Sequence, residues 1–468
     1  LINRNKNFLE SLLTFSLGPF ISALLGFLFI PLTTKLISPV EYGKGSFFIT
    51  IVNLISLVII LGLDQSYVRF FNESNDKKKL LYNSVFIPIL LSVLIGFCLI
   101  LFWKPLSIFL FSESDFYIMF LLSVSLLFSI LLRFSSLVIR MKEKGSLFSI
   151  FTIVNKIVLI LVLFLWAKYV SDRMIAVVMS YVISLFVIFF LQILVEKKEW
   201  NFDHFTPSLD EQKAILKFGL PLIVSGGLMW VLNSMDKIAL RAWSDFEELG
   251  LYSNAFRIAG LLTVIQTSFT TFWIPTSYRW YTEKVDYNKF NKVSEILTLV
   301  LTLVFILIVW LKGFFRFFID ESYYDSIAMV SFLLFMPLMY TLSETTGLGI
   351  SFSKKSWLSI LVALIASSTN IVGNYILVPR LGGIGASIST GLSFIVFFWA
   401  RTIISNRLMK LVKIKLQIIA TCIMLLFACF SYGNSEFIEL SKIALPLIVI
   451  VSIILIYKIK YKGLQTNV

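Results

Sequence analysis

Apolar runs of about 20 residues, separated by short polar clusters, recur from one end of the chain to the other. At about 1.5 Å per residue, each run makes a helix long enough to cross roughly 30 Å of hydrocarbon. Cutting at the polar clusters predicts fourteen such helices, near 8–32, 46–66, 80–103, 115–138, 147–167, 174–195, 215–238, 251–275, 293–311, 326–350, 357–377, 384–404, 415–432 and 437–457. The pattern also starts over. KLISPVEYGKGS (35–46) is echoed at 241–253: Lys35, Ser38, Glu41, Gly43 and Ser46 fall beside Arg241, Ser244, Glu248, Gly250 and Ser253 once one residue is inserted before the Glu. The helices leading in match as well, LGPFI (17–21) against GLPLI (219–223). Two parallel six-helix lobes around a central cavity are therefore expected, both entering the membrane from the same face. The first lobe covers 1–196, a polar connection 197–213 and the second lobe 214–410. Two further helices and a tail occupy 411–468.

Composition agrees with an all-α polytopic membrane protein. Of 468 residues, 58% are hydrophobic and 15% charged, with a mean hydropathy of +0.89; so much apolar surface belongs in a bilayer. The net charge of +14 does not point to nucleic acid. Its cations sit between the apolar runs, concentrated in alternate connections, and their asymmetry puts both termini in the cytoplasm. The connection after the sixth helix, with Trp200 and Phe202, suits a segment lying on the cytoplasmic surface. Cys98, Cys422 and Cys429 lie inside apolar runs without paired spacing and are expected to be core packing residues. The single histidine, His204, has no partner at metal-binding spacing, so no metal is expected. The first helix has no small-residue cleavage site and reads as a retained anchor, with Leu1 leaving the true start open.

Charges inside the apolar runs are the informative exceptions. Arg133, Lys156 and Arg257 fall well within predicted spans, and Asp64, Asp236, Lys237 and Glu344 nearer the ends. A charge at the centre of a spanning helix costs about 2.5–3.5 kcal/mol on insertion scales. Helical spacing groups them with polar neighbours: Ser125, Ser129, Arg133, Ser136 and Arg140 on one stripe, and Ser149, Thr152 and Lys156 on another. Arg257 heads a stripe through Gly260 and Thr271, and Thr50, Asn53 and Asp64 share a face. Such stripes face protein or water. Two readings stay open: buried ion pairs and snorkelling side chains, or a cationic, water-filled cavity for an anionic substrate. In the second, a phosphate oxygen about 4 Å from a cation gains roughly 4 kcal/mol at an effective dielectric of 20, so Arg133, Lys156, Arg257 and Lys237 would hold a diphosphate without a metal. The glycines at 347–349 and 382–385 lack the Gly-Lys-Ser of a phosphate loop and read as turns and close helix contacts. No catalytic constellation stands out, and no enzyme is expected.

Four stretches resemble the polysaccharide-unit flippases, those of O-antigen and capsule, of the multidrug/oligosaccharidyl-lipid/polysaccharide exporter superfamily. They are PLTTKLISPVEYGKGS (31–46), LGLDQSYVRFF (61–71), FGLPLIVSGGLMWVLNSMDKIAL (218–240), and SKKSW (353–357) with NIVGNYILVPRLGGIGASIST (370–390). Lys44, where the family more often has an apolar residue, and the extra Gly383 depart from its pattern. The resemblance implies a flippase that moves an undecaprenyl-diphosphate-linked oligosaccharide between the leaflets of the bacterial cytoplasmic (inner) membrane by alternating access. It implies a basic cavity, for which the four cations above are the candidates, and partners limited to the lipid-linked oligosaccharide, the bilayer and other polysaccharide-assembly proteins. No cofactor is expected beyond coupling to protons or sodium, with Asp64, Asp236 and Glu344 as its candidates. A lipid II flippase and a drug/cation antiporter of the same superfamily are the near alternatives. A membrane polymerase, which would need a large outward loop, is a more distant one.

Overall fold

The computed structural model describes residues 2–170, 172–201 and 208–433, and no strand occurs among them. Eleven helices of these residues are long and apolar enough to cross a bilayer, so the chain is a multi-pass membrane protein. It divides into two compact units, Leu1–Trp230 and Val231–Val468. The division falls inside a helix, whereas the sequence pattern drew it at the polar connection 197–213. Three sequence-based expectations lie outside the described residues: His204, Phe202 and the last predicted span, 437–457. The count of fourteen spans is accordingly not made by this structure.

Unit one contains α1 (Ile2–Leu36), α2 (Pro39–Ile60), α3 (Leu63–Phe70), α4 (Lys77–Leu101), α5 (Trp103–Phe111), α6 (Phe116–Met141), α7 (Gly145–Tyr169), α8 (Arg173–Val195) and the first part of α9 (Leu209–Trp243). The Ser/Glu/Gly turn of the repeat opens α2 through a capping box. Ser38 Oγ accepts from the Glu41 N–H at 3.3 Å, Glu41 Oε2 accepts from the Ser38 N–H at 3.1 Å, and Pro39 starts the helix. α2 stops where Leu61 and Gly62 turn left-handed, with φ of 52° and 70°. Glycine is required at position 62 for a second reason: a Cβ there would run into the backbone of Gly219 on α9, and a Cβ on Gly219 would lie 2.8 Å from the Leu61 carbonyl oxygen. Ser66 Oγ donates to the Ile215 carbonyl at 2.8 Å beside it. The LGLD and FGLP stretches are thus two halves of one close backbone contact.

The connection after α8 is held by charge. Lys142 donates to Glu196 at 2.7 Å and to Glu199 at 2.8 Å, and Lys144 also pairs with Glu196. Burial alone would push the Glu196 carboxyl up, but the hydrogen bonds from Lys142 and Lys144 outweigh it and hold the group below its ordinary range. Burial would likewise lower the Lys142 ammonium, which its two glutamates instead raise. Trp200 is buried with its ring edge-on to Phe189 at 5.8 Å. It packs inward and does not lie on the surface as the sequence suggested, because a phenylalanine of α8 covers its ring.

Unit two continues with α10 (Phe246–Gly260), α11 (Thr263–Thr282), α12 (Tyr287–Leu311), α13 (Ser326–Leu333), α14 (Phe335–Thr346), α15 (Leu348–Phe352), α16 (Trp357–Leu408) and α17 (Lys415–Gly433). α16 joins two predicted spans, 357–377 and 384–404, without a loop between them. Gly382 breaks it with φ 53° and ψ −132°, and the second arm returns along the first. Ser389 Oγ donates to the Asn370 carbonyl at 2.9 Å, although 19 residues of straight helix would separate them by about 28 Å. The repeat's second glutamate stabilises this break: Glu248 Oε2 accepts the Gly383 N–H at 2.8 Å. Trp273, Phe290, Leu348, Phe352, Leu411 and Val412 form an apolar core within the unit.

The three cysteines are free and lie on exposed faces of α4 and α17, not in the core where the sequence placed them. Lipid is as apolar as a protein interior, so an apolar run does not tell which of its faces is packed.

Candidate functional site

Unit one carries an open cavity of about 510 Å³ where the end of α2, the start of α3, the middle of α6 and the first part of α9 meet. The α2–α3 break makes it. By ending α2 at Ile60, the chain places Asp64 in the first turn of α3, where free backbone N–H groups favour a carboxylate. Asp64 is 6% exposed. Its Oδ1 accepts from the Gln65 N–H at 2.8 Å, and its Oδ2 accepts from Arg133 Nη2 at 2.7 Å and Nε at 3.2 Å. Arg133 reaches across from α6 with half its side chain exposed. One helical turn earlier, Ser129 Oγ lies 2.8 Å from Ser56 Oγ of α2. Asn53 and Trp230 also line the space, and the Trp230 Nε1 is buried with no hydrogen-bond partner among the described residues.

Of the predicted stripes, the structure brings Ser129, Arg133, Asn53 and Asp64 to this cavity. Thr50 and Ser125 turn back to their own helices, bonding the carbonyls of Ser46 and Leu121 at 2.9 and 2.7 Å. Lys156 is not among the lining residues. It lies on α7 against α1, its ammonium 5.1 Å from the centre of the Phe29 ring, and a Cβ on Gly26 would stand 3.7 Å from its Nζ.

The remaining predicted residues belong to unit two. Asp236 of α9 has no exposed surface and is surrounded by donors that carry no charge. Its Oδ1 accepts from Asn374 Nδ2 at 2.8 Å and Asn370 Nδ2 at 3.0 Å; its Oδ2 accepts from Tyr252 OH and Thr390 Oγ1, each at 2.7 Å. The cage takes residues from α9, α10 and both arms of α16. Lys237, the next residue, has its ammonium 5.8 Å from the Phe256 ring centre, and Arg257 of α10 is close enough to act on it electrostatically. Glu344 of α14 is 5% exposed and accepts from Arg401 Nη1 at 2.8 Å. The same nitrogen donates to Ser343 Oγ at 2.7 Å. No group of three or more histidine, cysteine, aspartate or glutamate side chains placed to hold a metal occurs among the described residues.

Arg401, inside α16 as the partner of Glu344, is not among the residues that sequence reasoning singled out. Sequence reasoning also passed over the Asp236 cage. Asn370 and Asn374 are one helical turn apart in an apolar run, a spacing that by itself marks a buried polar face.

The sequence model of the family described as polysaccharide biosynthesis proteins matches residues 8–281. That is more than half of the chain. The chain belongs to this family. No curated protein matches it in sequence. Among solved structures, the lipid II flippase MurJ in an inward closed conformation is 16% identical and superposes with a TM-score of 0.73 over 96% of this chain and 99% of that one. The Vibrio cholerae MATE transporter VcmN is 14% identical, with a TM-score of 0.58 over 86% of this chain and 96% of that one. At these identities the likeness is one of fold. It gives this member of the polysaccharide biosynthesis family an all-helical fold like that of these two transporter structures.

Proposed function

We propose that this protein flips undecaprenyl-diphosphate-linked oligosaccharide units across the bacterial cytoplasmic membrane by alternating access, supplying the assembly of a surface polysaccharide such as O-antigen or capsule. The observation that carries the reading is a polar cavity with an ion pair inside the membrane-spanning body of a polysaccharide biosynthesis protein. A sugar headgroup cannot enter hydrocarbon because its hydroxyls would lose their hydrogen bonds, while a polyprenyl tail stays in lipid throughout. A wet, hydroxyl-lined space is what the head requires. Arg133 meets the headgroup in that space, and Lys156, Lys237 and Arg257 provide the positive charge that accompanies the diphosphate. Asp236, or one of Asp64 and Glu344, takes up the proton or sodium ion that drives the cycle. Both termini lie in the cytoplasm, the side that the excess of lysine and arginine in alternate connections selects.

Reconstitution tests this. In proteoliposomes loaded with a lipid-linked oligosaccharide on one leaflet, the protein should expose the sugar to a lectin on the other, and R257A should slow that exposure. Lipid II, the substrate in MurJ's name, is the second reading, because MurJ shares the fold over nearly its whole length. Transport of lipid II in place of the oligosaccharide lipid would establish it.

A further inference from the structure

We infer that the unit-one cavity recognises the uncharged sugar residues of the headgroup and not its diphosphate. The inference rests on the flippase reading and divides the substrate between parts of the protein. Charge is the first ground. The cavity's lining contains one cation and one anion, and they are bonded to each other. A phosphate oxygen about 4 Å from Arg133 would gain roughly as much from the guanidinium as it loses to the adjacent Asp64 carboxylate, since both are unit charges at similar range. The cavity offers a diphosphate almost no net attraction, and displacing Asp64 would strand a buried carboxylate.

A sugar hydroxyl suits the same pair. It is both donor and acceptor, so it can give its hydrogen to Asp64 while accepting from Arg133, and neither ion loses its partner. The rest of the lining has the same character. Ser56 and Ser129 present hydroxyls and Asn53 an amide, each able to donate and accept. Trp230 adds a flat apolar surface for the C–H face of a sugar ring, and its buried Nε1–H has no acceptor among the described residues. A volume of about 510 Å³ falls within the range of small-molecule sites, roughly 300–1,000 Å³. The prediction for specificity is direct: a neutral sugar next to the diphosphate is accepted, and an acidic sugar in that place must compete with Asp64 for Arg133.

The test uses the full chain in nanodiscs and two probes: a polyprenyl diphosphate bearing a neutral oligosaccharide, and the same polyprenyl diphosphate without sugar. The wild type should bind the sugar-bearing lipid about tenfold tighter than the bare one. R133Q/D64N, which keeps the shapes and removes both charges together, should erase that increment while leaving bare-lipid affinity within about twofold. S129A and W230F, which leave the charges in place, should each remove part of it and keep the variants folded by size-exclusion and thermal criteria. If the charge-free variant loses bare-lipid affinity as strongly as sugar-lipid affinity, Arg133 is a diphosphate ligand and the inference is wrong. If wild type binds both lipids equally, the sugar site is refuted and the flippase reading stands. Failure of the wild type to bind either lipid would remove the flippase reading and the inference with it.

Discussion

Asp64 in unit one and Asp236 in unit two are both buried carboxyls, and their oxygens are satisfied in different ways. Asp64 has a cation, Arg133, that is half exposed in an open cavity, where an entering group can bond to both without parting them. Asp236 has four uncharged donors, from α10 and both arms of α16, and no exposed surface. A buried carboxylate needs either a counter-ion or a full set of hydrogen bonds, since desolvation otherwise exceeds any gain. The first solution leaves a site that a ligand can address. The second ties α9, α10 and both arms of α16 together. The repeated glutamates differ in the same spirit: Glu41 closes a local capping box, while its counterpart Glu248 spans to Gly383 and supports the α16 hairpin.

The contrast makes ranked predictions. D236A removes the acceptor that four buried donors share, leaving Asn374 only Asn370 Oδ1 and the Tyr252 and Thr390 hydroxyls only each other, and should cost about 3 kcal/mol, read as loss of monodisperse protein or a large drop in thermal midpoint in detergent. D236N should fold better and still fail to transport, which separates the cage's structural role from ion coupling. Next comes G382A. A side chain at φ 53°, ψ −132°, whose Cβ would stand 2.9 Å from Glu248 Cδ, should destabilise the protein by about 1–2 kcal/mol. The Asp64–Arg133 pair is half solvated, so a double-mutant cycle of D64N and R133Q on unfolding should return a coupling of only about 1 kcal/mol, with the larger loss in transport. A stability effect here as large as that of D236A would dissolve the distinction between the two carboxylates.

The smallest effect belongs to the Lys142–Glu196–Lys144 cluster. Because the Glu196 carboxyl is held below its ordinary value of 4.5, its contribution is present above that pH and is lost as pH falls through the lowered folded value. Lys142 is raised above its ordinary 10.5, so its share is complete below that pH and disappears only in stronger base. E196Q should therefore lower stability by about 1 kcal/mol at neutral pH. The gap to wild type should close in acid, as thermal unfolding at pH 7 and in strong acid would show.

Much of this was legible in the chain. Run length marked the helices, and the echo of Ser38 and Glu41 in Ser244 and Glu248 marked the starts of α2 and α10, where Glu41 and Glu248 each stand in the first turn. Helical spacing put Ser129 and Arg133 on one face of α6, which the cavity shares, since a stripe is a property of one helix; Asp64, grouped with Asn53, lies instead on the separate helix α3. Its limit was the partner. That Arg133 meets Asp64, that Glu344 meets Arg401, and that Lys156 rests over Phe29 instead of lining the cavity depend on which helices lie side by side, and an all-apolar background does not mark one helix face over another. The α16 turn, by contrast, was legible: the two runs 357–377 and 384–404 are separate and the glycines at 382–385 read as a turn, and Gly382 breaks the helix there.

Cysteine accessibility addresses the open cavity and the sealed cage most directly. In full-length protein with Cys98, Cys422 and Cys429 replaced by serine, S129C should react with a small, membrane-impermeant thiol reagent, and lipid-linked oligosaccharide should slow the reaction. T390C, beside Asp236, should stay unreactive under the same conditions. An inert S129C, or one whose labelling the substrate leaves unchanged while T390C reacts, would contradict the account.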